Sequence, residues 1–296
     1  MYDVKCKITT SSFSSKIYVI TGSTDGIGKA YAKQLAKRGM NIVLVSRTKE
    51  KLEKVASQIR DEFNVKTKII VADFREGSPI YKHIENELND IPVGILVNNV
   101  AMFMEHPKYF DQLSFEYLWD VINVNIASSW LMTNMVLRSM KKRKKGAIIN
   151  LSSLLEFIPC PLSSNYSATK AFLKNFTLAL QDECRSDGIT VQLLSPAFLK
   201  TNLTRFSDYV YNFNELYVPN AETFASHAIN TLTRSEHTTG YWPHEFLYWT
   251  AQILPEPMRT YLAGIIARFM LLKHKKLLIN GRIRVEGYTT NARREK

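Results

Sequence analysis

At 296 residues the chain has room for one large α/β domain or two small ones, and its 45% hydrophobic and 22% charged content excludes a disordered chain, a collagen-like repeat and a polytopic membrane protein. Three widely spaced cysteines, Cys6, Cys160 and Cys184, exclude a disulfide scaffold and a four-cysteine zinc site. The formal net charge is +12, and residues 273–296, with eight Lys or Arg against two Glu, carry half of it.

Residues 1–15 contain no apolar run, so neither a secretory signal nor a leading membrane span is expected there. From residue 16 onward, short apolar runs alternate with amphipathic segments. Strands are predicted at 17–21, 41–45, 66–71, 93–98, 147–152 and 189–195. Helices are predicted at roughly 27–38, 48–63, 79–89, 114–140 and 164–186. Near-continuous apolar strands belong to a parallel sheet covered on both faces by helices. Gly39 and Gly188 follow the ends of two of these helices and read as C-caps. Six β-then-α units imply an α/β fold, a doubly wound parallel sheet of Rossmann-like type, over residues 16–240. Residues 241–296 read as a helical C-terminal extension with a basic tail. The run Lys141-Lys142-Arg143-Lys144-Lys145 reads as a solvated helix C-terminus, where cations complement the dipole, and not as a nucleic-acid site.

The first strand runs into Thr21-Gly22-Ser23-Thr24-Asp25-Gly26-Ile27-Gly28. Gly22 permits a tight turn, Gly26 lets backbone approach a pyrophosphate, and Gly28 lets the helix pack close on the sheet. The second strand ends in Ser46-Arg47. An acid here accepts from a ribose 2′-hydroxyl, whereas Arg47 offers a two-pronged donor to a 2′-phosphate, so NADP(H) is favoured over NAD(H). Further on, Tyr166 and Lys170 stand four apart at the start of a helix and share one of its faces. A cation beside a phenol is expected to lower the Tyr166 pKa and to make it a competent acid for a carbonyl becoming an alkoxide. Ser153, at the end of the fifth strand, is placed to donate to the same oxygen.

With these motifs, and with Asn98-Asn99-Val100-Ala101, Asn123-Val124-Asn125 and Pro196-Ala197, the chain resembles the short-chain dehydrogenase/reductases over roughly residues 16–240. The resemblance implies an oxidoreductase in which Tyr166 is the acid/base, Lys170 tunes it and binds the nicotinamide ribose, Ser153 holds the substrate carbonyl and Asn125 holds a relay water. It implies cofactor contacts at Gly22, Ser23, Asp25, Gly26, Ile27, Gly28, Arg47, Asp73, Asn99, Tyr166, Lys170, Pro196 and Thr201, with Asp73 toward the adenine and Thr201 toward the carboxamide. Two branches are similar: the very-long-chain 3-oxoacyl-CoA reductases with their 17β-hydroxysteroid dehydrogenase relatives, and a hydroxysteroid dehydrogenase-like branch described as inactive because Phe replaces the catalytic Tyr. The expected substrate is a ketone on a lipid-like body, a 3-oxoacyl chain or a steroid. The competing reading is a non-catalytic NADP-binding protein.

Ala101 and Ala197 stand where many relatives have Gly, and Leu154-Leu155 follow Ser153 where the reductases have small residues. The two leucines either narrow the substrate site or fill the core. Tyr241, Trp242, Phe246, Tyr248 and Trp249 either line an acyl or sterol pocket or pack the C-terminal helices on the sheet. Residues 261–272 are too short to span a bilayer, so attachment to a membrane is expected to be peripheral, through this extension and the tail, or else the helices face a second copy in a homodimer. The cytosolic face of the endoplasmic reticulum is the expected location, with the mitochondrion as the alternative. His227, His237, His244 and His274 show no metal-ligand spacing, and no metal is expected.

Overall fold

A computed structural model describes residues 17–204 and 207–279. Cys6 and the tail beyond residue 279 lie outside these described residues, and with them most of the basic run. The parallel strands are β1 (Ile17–Thr21), β2 (Asn41–Ser46), β3 (Thr67–Val71), β4 (Val93–Asn98), β5 (Gly146–Leu151), β6 (Ile189–Leu194) and β7 (His237–Thr238). They form one sheet in the order β3-β2-β1-β4-β5-β6-β7. The chain leaves β1 in one direction across the sheet and returns to β4 on its other side. That switch point opens a crevice at the carboxyl ends of these two strands, the place where open α/β sheets bind ligands.

The helices are α1 (Gly26–Ala36), α2 (Lys49–Phe63), α3 (Pro79–Leu88), α4 (Phe115–Ile122), α5 (Ser128–Arg143), α6 (Ser164–Cys184), α7 (Asp208–Tyr211), α8 (Ala221–Ala228), α9 (Trp242–Ile253) and α10 (Glu256–Ile279). They cover both sheet faces. One apolar layer joins Tyr31 and Leu35 of α1, Ile59 of α2 and Phe224 of α8 to Tyr18, Leu44 and Ile149. The other joins Ile84 of α3, Met132 and Val136 of α5 and Leu180 of α6 to Val43, Leu96 and Ile148. Central strands are therefore buried on both sides, which is why they read as unbroken apolar runs.

Two expectations need correction. The helix expected over 114–140 is two helices, joined by a π-helical turn over Asn123–Ala127. A seventh strand exists; its two residues pair with Leu193 and Leu194, too short a run to leave a period in the sequence. After α5, Lys144 takes the left-handed cap, at φ 49°, while Gly146 opens β5 where a Cβ would meet the Met140 side chain at 2.6 Å. Gly39 and Gly188 do adopt positive φ after α1 and α6, and Lys141, Lys142 and Arg143 occupy the last turn of α5.

The extension is tied down by polar contacts as well as packing. His244, fully buried on α9, accepts from the Ala197 amide through Nδ1 at 3.2 Å, and its Nε2 lies 3.0 Å from the Tyr217 carbonyl. Burial lowers its pKa to about 4. The folded state therefore binds fewer protons than the unfolded chain between about pH 6.5 and 4. This contribution to stability is complete above that window and is lost as pH falls through it. Thermal melts from pH 7 to pH 4 are expected to show a steeper decline for the native chain than for His244→Gln; parallel curves would remove His244 as a cause.

Candidate active site

The glycine turn forms the floor of the crevice. Gly22 and Gly26 both hold left-handed backbone, at φ 64° and 51°. A Cβ on Gly28 would lie 2.4 Å from the Gly22 carbonyl oxygen, so helix α1 can start this close to its own strand only because position 28 has no side chain. Asn99 fixes the turn by donating to the carbonyls of Thr21 (2.8 Å) and Gly22 (3.1 Å). The hydroxyl of Thr21, a residue that sequence reasoning does not single out, accepts from the Asn99 and Val100 amides. Asp25 caps α1, accepting from the Gly26 amide at 2.7 Å, and its other oxygen accepts from Asn202 across the crevice.

Three hollows adjoin here. A cleft of about 230 Å³ is lined by Gly22, Asp25, Gly26, Ile27, Asn99, Ser153, Tyr166, Lys170, Pro196 and Thr201, and also by Ala101 and Ala197. A wider hollow of about 960 Å³ continues from it past Thr24, Ser46, Arg47, Asp73 and Arg75. An apolar cavity of about 320 Å³ opens on the other side, past Phe103, Leu154, Leu155, Phe198 and the inner face of α10. Ser153 and Tyr166 line both the cleft and the apolar cavity.

Of the sequence-derived residues, Ser23, Gly28 and Asn125 line none of these spaces. The Ser23 hydroxyl is buried against the Val45 carbonyl at 3.4 Å. Asn125 sits in the π-helical turn, with Oδ1 accepting from the Met102 amide (2.8 Å) and Nδ2 donating to the Met102 carbonyl (3.0 Å) and Thr169 (3.3 Å). It ties the loop after β4 to α6. Asp73 caps a single turn at Phe74–Glu76 and holds Arg75 by paired contacts of 2.5–3.1 Å. The Arg75 guanidinium keeps its carboxyl below the usual range, with Arg47 adding to the effect. Arg47 itself is exposed at the rim, and no ion pair to it occurs among the described residues.

Tyr166 packs edge-on against Phe103, ring centroids 4.7 Å apart, and Lys170 Nζ lies 5.5 Å from the Tyr166 centroid. The expected lowering of the phenol is not what this arrangement gives. Burial raises the Tyr166 pKa and lowers that of Lys170 to about 8, and the Lys170 ammonium donates to the Leu151 carbonyl at 2.9 Å. Desolvation of the two groups, 8% and 4% exposed, sets both shifts. Glu156 opposes that loss of charge at Lys170. Sequence reasoning does not reach this carboxylate, although it stands three residues after Ser153. It is buried, accepts from Ser195 Oγ at 2.7 Å and lies 3.0 Å from His237 Nε2.

Leu154 and Leu155 line the apolar cavity and so narrow it. Among the aromatics of the extension, Tyr241 and Tyr248 are buried in packing, whereas Trp242, Phe246 and Trp249 are exposed, and none of the five lines the cavity. His106 and His274 stack at 4.0 Å between the loop after β4 and α10, and His274 lines the wide hollow. No cluster of metal-ligating side chains occurs among the described residues.

The short chain dehydrogenase family model matches residues 16–209, which spans the sheet from β1 to the start of α7 and includes the glycine turn, Ser153, Tyr166 and Lys170. The chain belongs to the short-chain dehydrogenase family. Its sequence is 49% identical over 250 residues to the human (Homo sapiens) "Inactive hydroxysteroid dehydrogenase-like protein 1", covering 84% of this chain and 76% of that protein. It is 44% identical over 239 residues to the "Very-long-chain 3-oxoacyl-CoA reductase" of Anas platyrhynchos, covering 80% and 75%. Among solved structures, a short-chain dehydrogenase from Sphingobium yanoikuyae in complex with NADPH superposes with a TM-score of 0.69 at 26% identity, covering 93% of this chain and 98% of that one. The family chemistry is oxidation and reduction.

Proposed function

We propose that this short-chain dehydrogenase is an NADP(H)-dependent reductase of a ketone on an apolar, lipid-like body. The observation that carries the proposal is the position of Ser153 and Tyr166, which face both the glycine-turn cleft and the apolar cavity. The cleft suits a dinucleotide. Its floor has no side chains at Gly22 and Gly26, the N-terminus of α1 points into it, and Arg47 stands at the rim of the hollow beyond. Gly22, Gly26, Ile27, Asn99, Lys170 and Thr201 would hold the body of the cofactor, and Arg47 its 2′-phosphate. A bound reduced nicotinamide supplies hydride to the ketone carbon.

The chain's own groups do the rest. Tyr166 is protonated at neutral pH, and burial raises its pKa further; this is the form that gives its proton to the carbonyl oxygen as negative charge grows there. Ser153 Oγ accepts from the Leu155 amide at 3.3 Å, which leaves its own proton to donate to the same oxygen. Lys170 uses one of its three N–H bonds on Leu151 and keeps two for the site. Asn125 anchors the loop that carries Phe103, the ring against which Tyr166 packs.

The reductase name of one relative favours the catalytic reading for an acyl substrate, and the word inactive in the other's name favours a binding protein. The presence of Tyr166, Ser153, Lys170 and Asn125 together weighs for catalysis. NADPH oxidation measured against 3-oxoacyl-CoAs, 3-ketosteroids and 17-ketosteroids is expected to reveal turnover of at least one class. Tight NADPH binding with no turnover of any of them would move the protein to the non-catalytic reading.

The proposal includes peripheral contact with an anionic membrane, on the cytosolic face of the endoplasmic reticulum. It is supported by the exposed apolar side chains Trp242, Phe246 and Trp249 on α9 and Tyr261, Ile265 and Phe269 on α10. No described helix is long and apolar enough to cross a membrane. Flotation with anionic liposomes at low salt, reversed at high salt, is the expected behaviour; a protein that stays unbound and forms dimers assigns this face to a second copy instead.

A further inference from the structure

The apolar cavity holds one charged side chain among the described residues that line it, Arg259 in the first turn of α10. The helix approaches the loop after Ser153 closely; a Cβ at Gly264 would meet Pro161 at 3.2 Å. This brings the Arg259 guanidinium over the Phe157 ring, 5.2 Å from its centroid. Stacking uses the face of a guanidinium and leaves its N–H edge to find partners in the plane. Here it does not find them all: Nε is buried and has no hydrogen-bond partner. No carboxylate lies within ion-pairing distance of Arg259 among the described residues. A buried guanidinium N–H without a partner is costly, and in a native structure it calls for an explanation.

We infer that Arg259 is a specificity-determining residue of the substrate site, and that the ketone reduced here carries an oxyanion on its apolar body, separate from the carbonyl held by Ser153 and Tyr166. This rests on the reductase reading of the same site. Leu154, Leu155, Leu262 and Ile266 supply the contact with the hydrocarbon, and Arg259 supplies the one charge among the described residues that line the cavity. A neutral ketone of the same shape fills the same volume but leaves the Nε donor unpaired, so the site discriminates by charge more than by size. The oxyanion is either a carboxylate on the substrate itself or a phosphate on a thioester carrier; the chemistry is the same.

The test measures binding to the NADPH-loaded protein by calorimetry, alongside turnover. A keto-steroid with a free side-chain carboxylate is compared with its methyl ester, and a 3-oxoacyl-CoA with the matching pantetheine thioester, which lacks the phosphates. For one of the two pairs the charged member is expected to bind about tenfold or more tightly. Arg259→Met is expected to bring that ratio close to one, and Arg259→Lys, which keeps a cation without the fork, to restore part of it. The pair that responds identifies the source of the oxyanion. A ratio near one in the native protein for both pairs, or a ratio unchanged in Arg259→Met, overturns the inference. If the ratio depends on Arg259 while no ketone is reduced, the anion site stands and the reductase reading falls.

Discussion

Replacing Tyr166 by Phe is expected to lower ketone reduction by a factor of about 10²–10⁴, the usual worth of a positioned general acid, while leaving NADPH binding nearly intact. The ring is buried and packs edge-on against Phe103, contacts that a phenyl group keeps. What disappears is the one phenol among the described residues that faces both the cleft and the apolar cavity. The direction of the reaction enters here as well. Burial raises the Tyr166 pKa, so at neutral pH the residue holds the proton that reduction consumes. Oxidation of the alcohol needs the phenolate, so its rate is expected to climb as pH rises through the alkaline range. Lys170, lowered to about 8, loses its own charge in that range and then supports the phenolate less. Single-turnover rates and NADPH titrations on the two proteins check the prediction. Equal rates would remove Tyr166 from proton transfer, and a matching loss of NADPH affinity would make its role structural.

Arg47→Asp is expected to weaken NADPH by roughly tenfold to a hundredfold relative to NADH, the loss of one charge-assisted, two-pronged contact. Arg47 follows β2 at the rim of the wide hollow. The nearby carboxylate, Asp73, already holds Arg75 through both oxygens, and no ion pair to Arg47 occurs among the described residues. A new Asp at 47 would repel a 2′-phosphate and accept from a 2′-hydroxyl, so NADH is expected to hold or gain. Calorimetric titration of both nucleotides decides the matter: equal losses for the two would assign Arg47 to the surface and leave cofactor choice to another residue.

The strands were legible because they are central and parallel: burial on both faces leaves an apolar run such as Asn41–Ser46 with no polar alternation to confuse it. The glycine turn and the Tyr166–Lys170 pair were legible because each is local, one set by backbone freedom within seven residues and the other by the rise of one helical turn. The π-helical turn at Asn123–Ala127 was not, since it depends on Asn125 reaching back to Met102 and across to Thr169. Nor was β7, whose pairing with β6 rests on two residues.

For the site, the residues read in chain order named the groups present and put Tyr166 and Lys170 on one helix face. Their protonation was decided by the tertiary structure. A cation near a phenol lowers its pKa only where water or other dipoles sustain the charge, and whether they do depends on Phe103, Leu151 and Glu156, which come from elsewhere in the fold. Tertiary structure likewise placed Arg259 in the wall of a cavity shared with Tyr166, 93 residues away in sequence, because α10 returns across the loop after Ser153. Local pattern can name a reactive group, but desolvation and long-range approach set what that group can do.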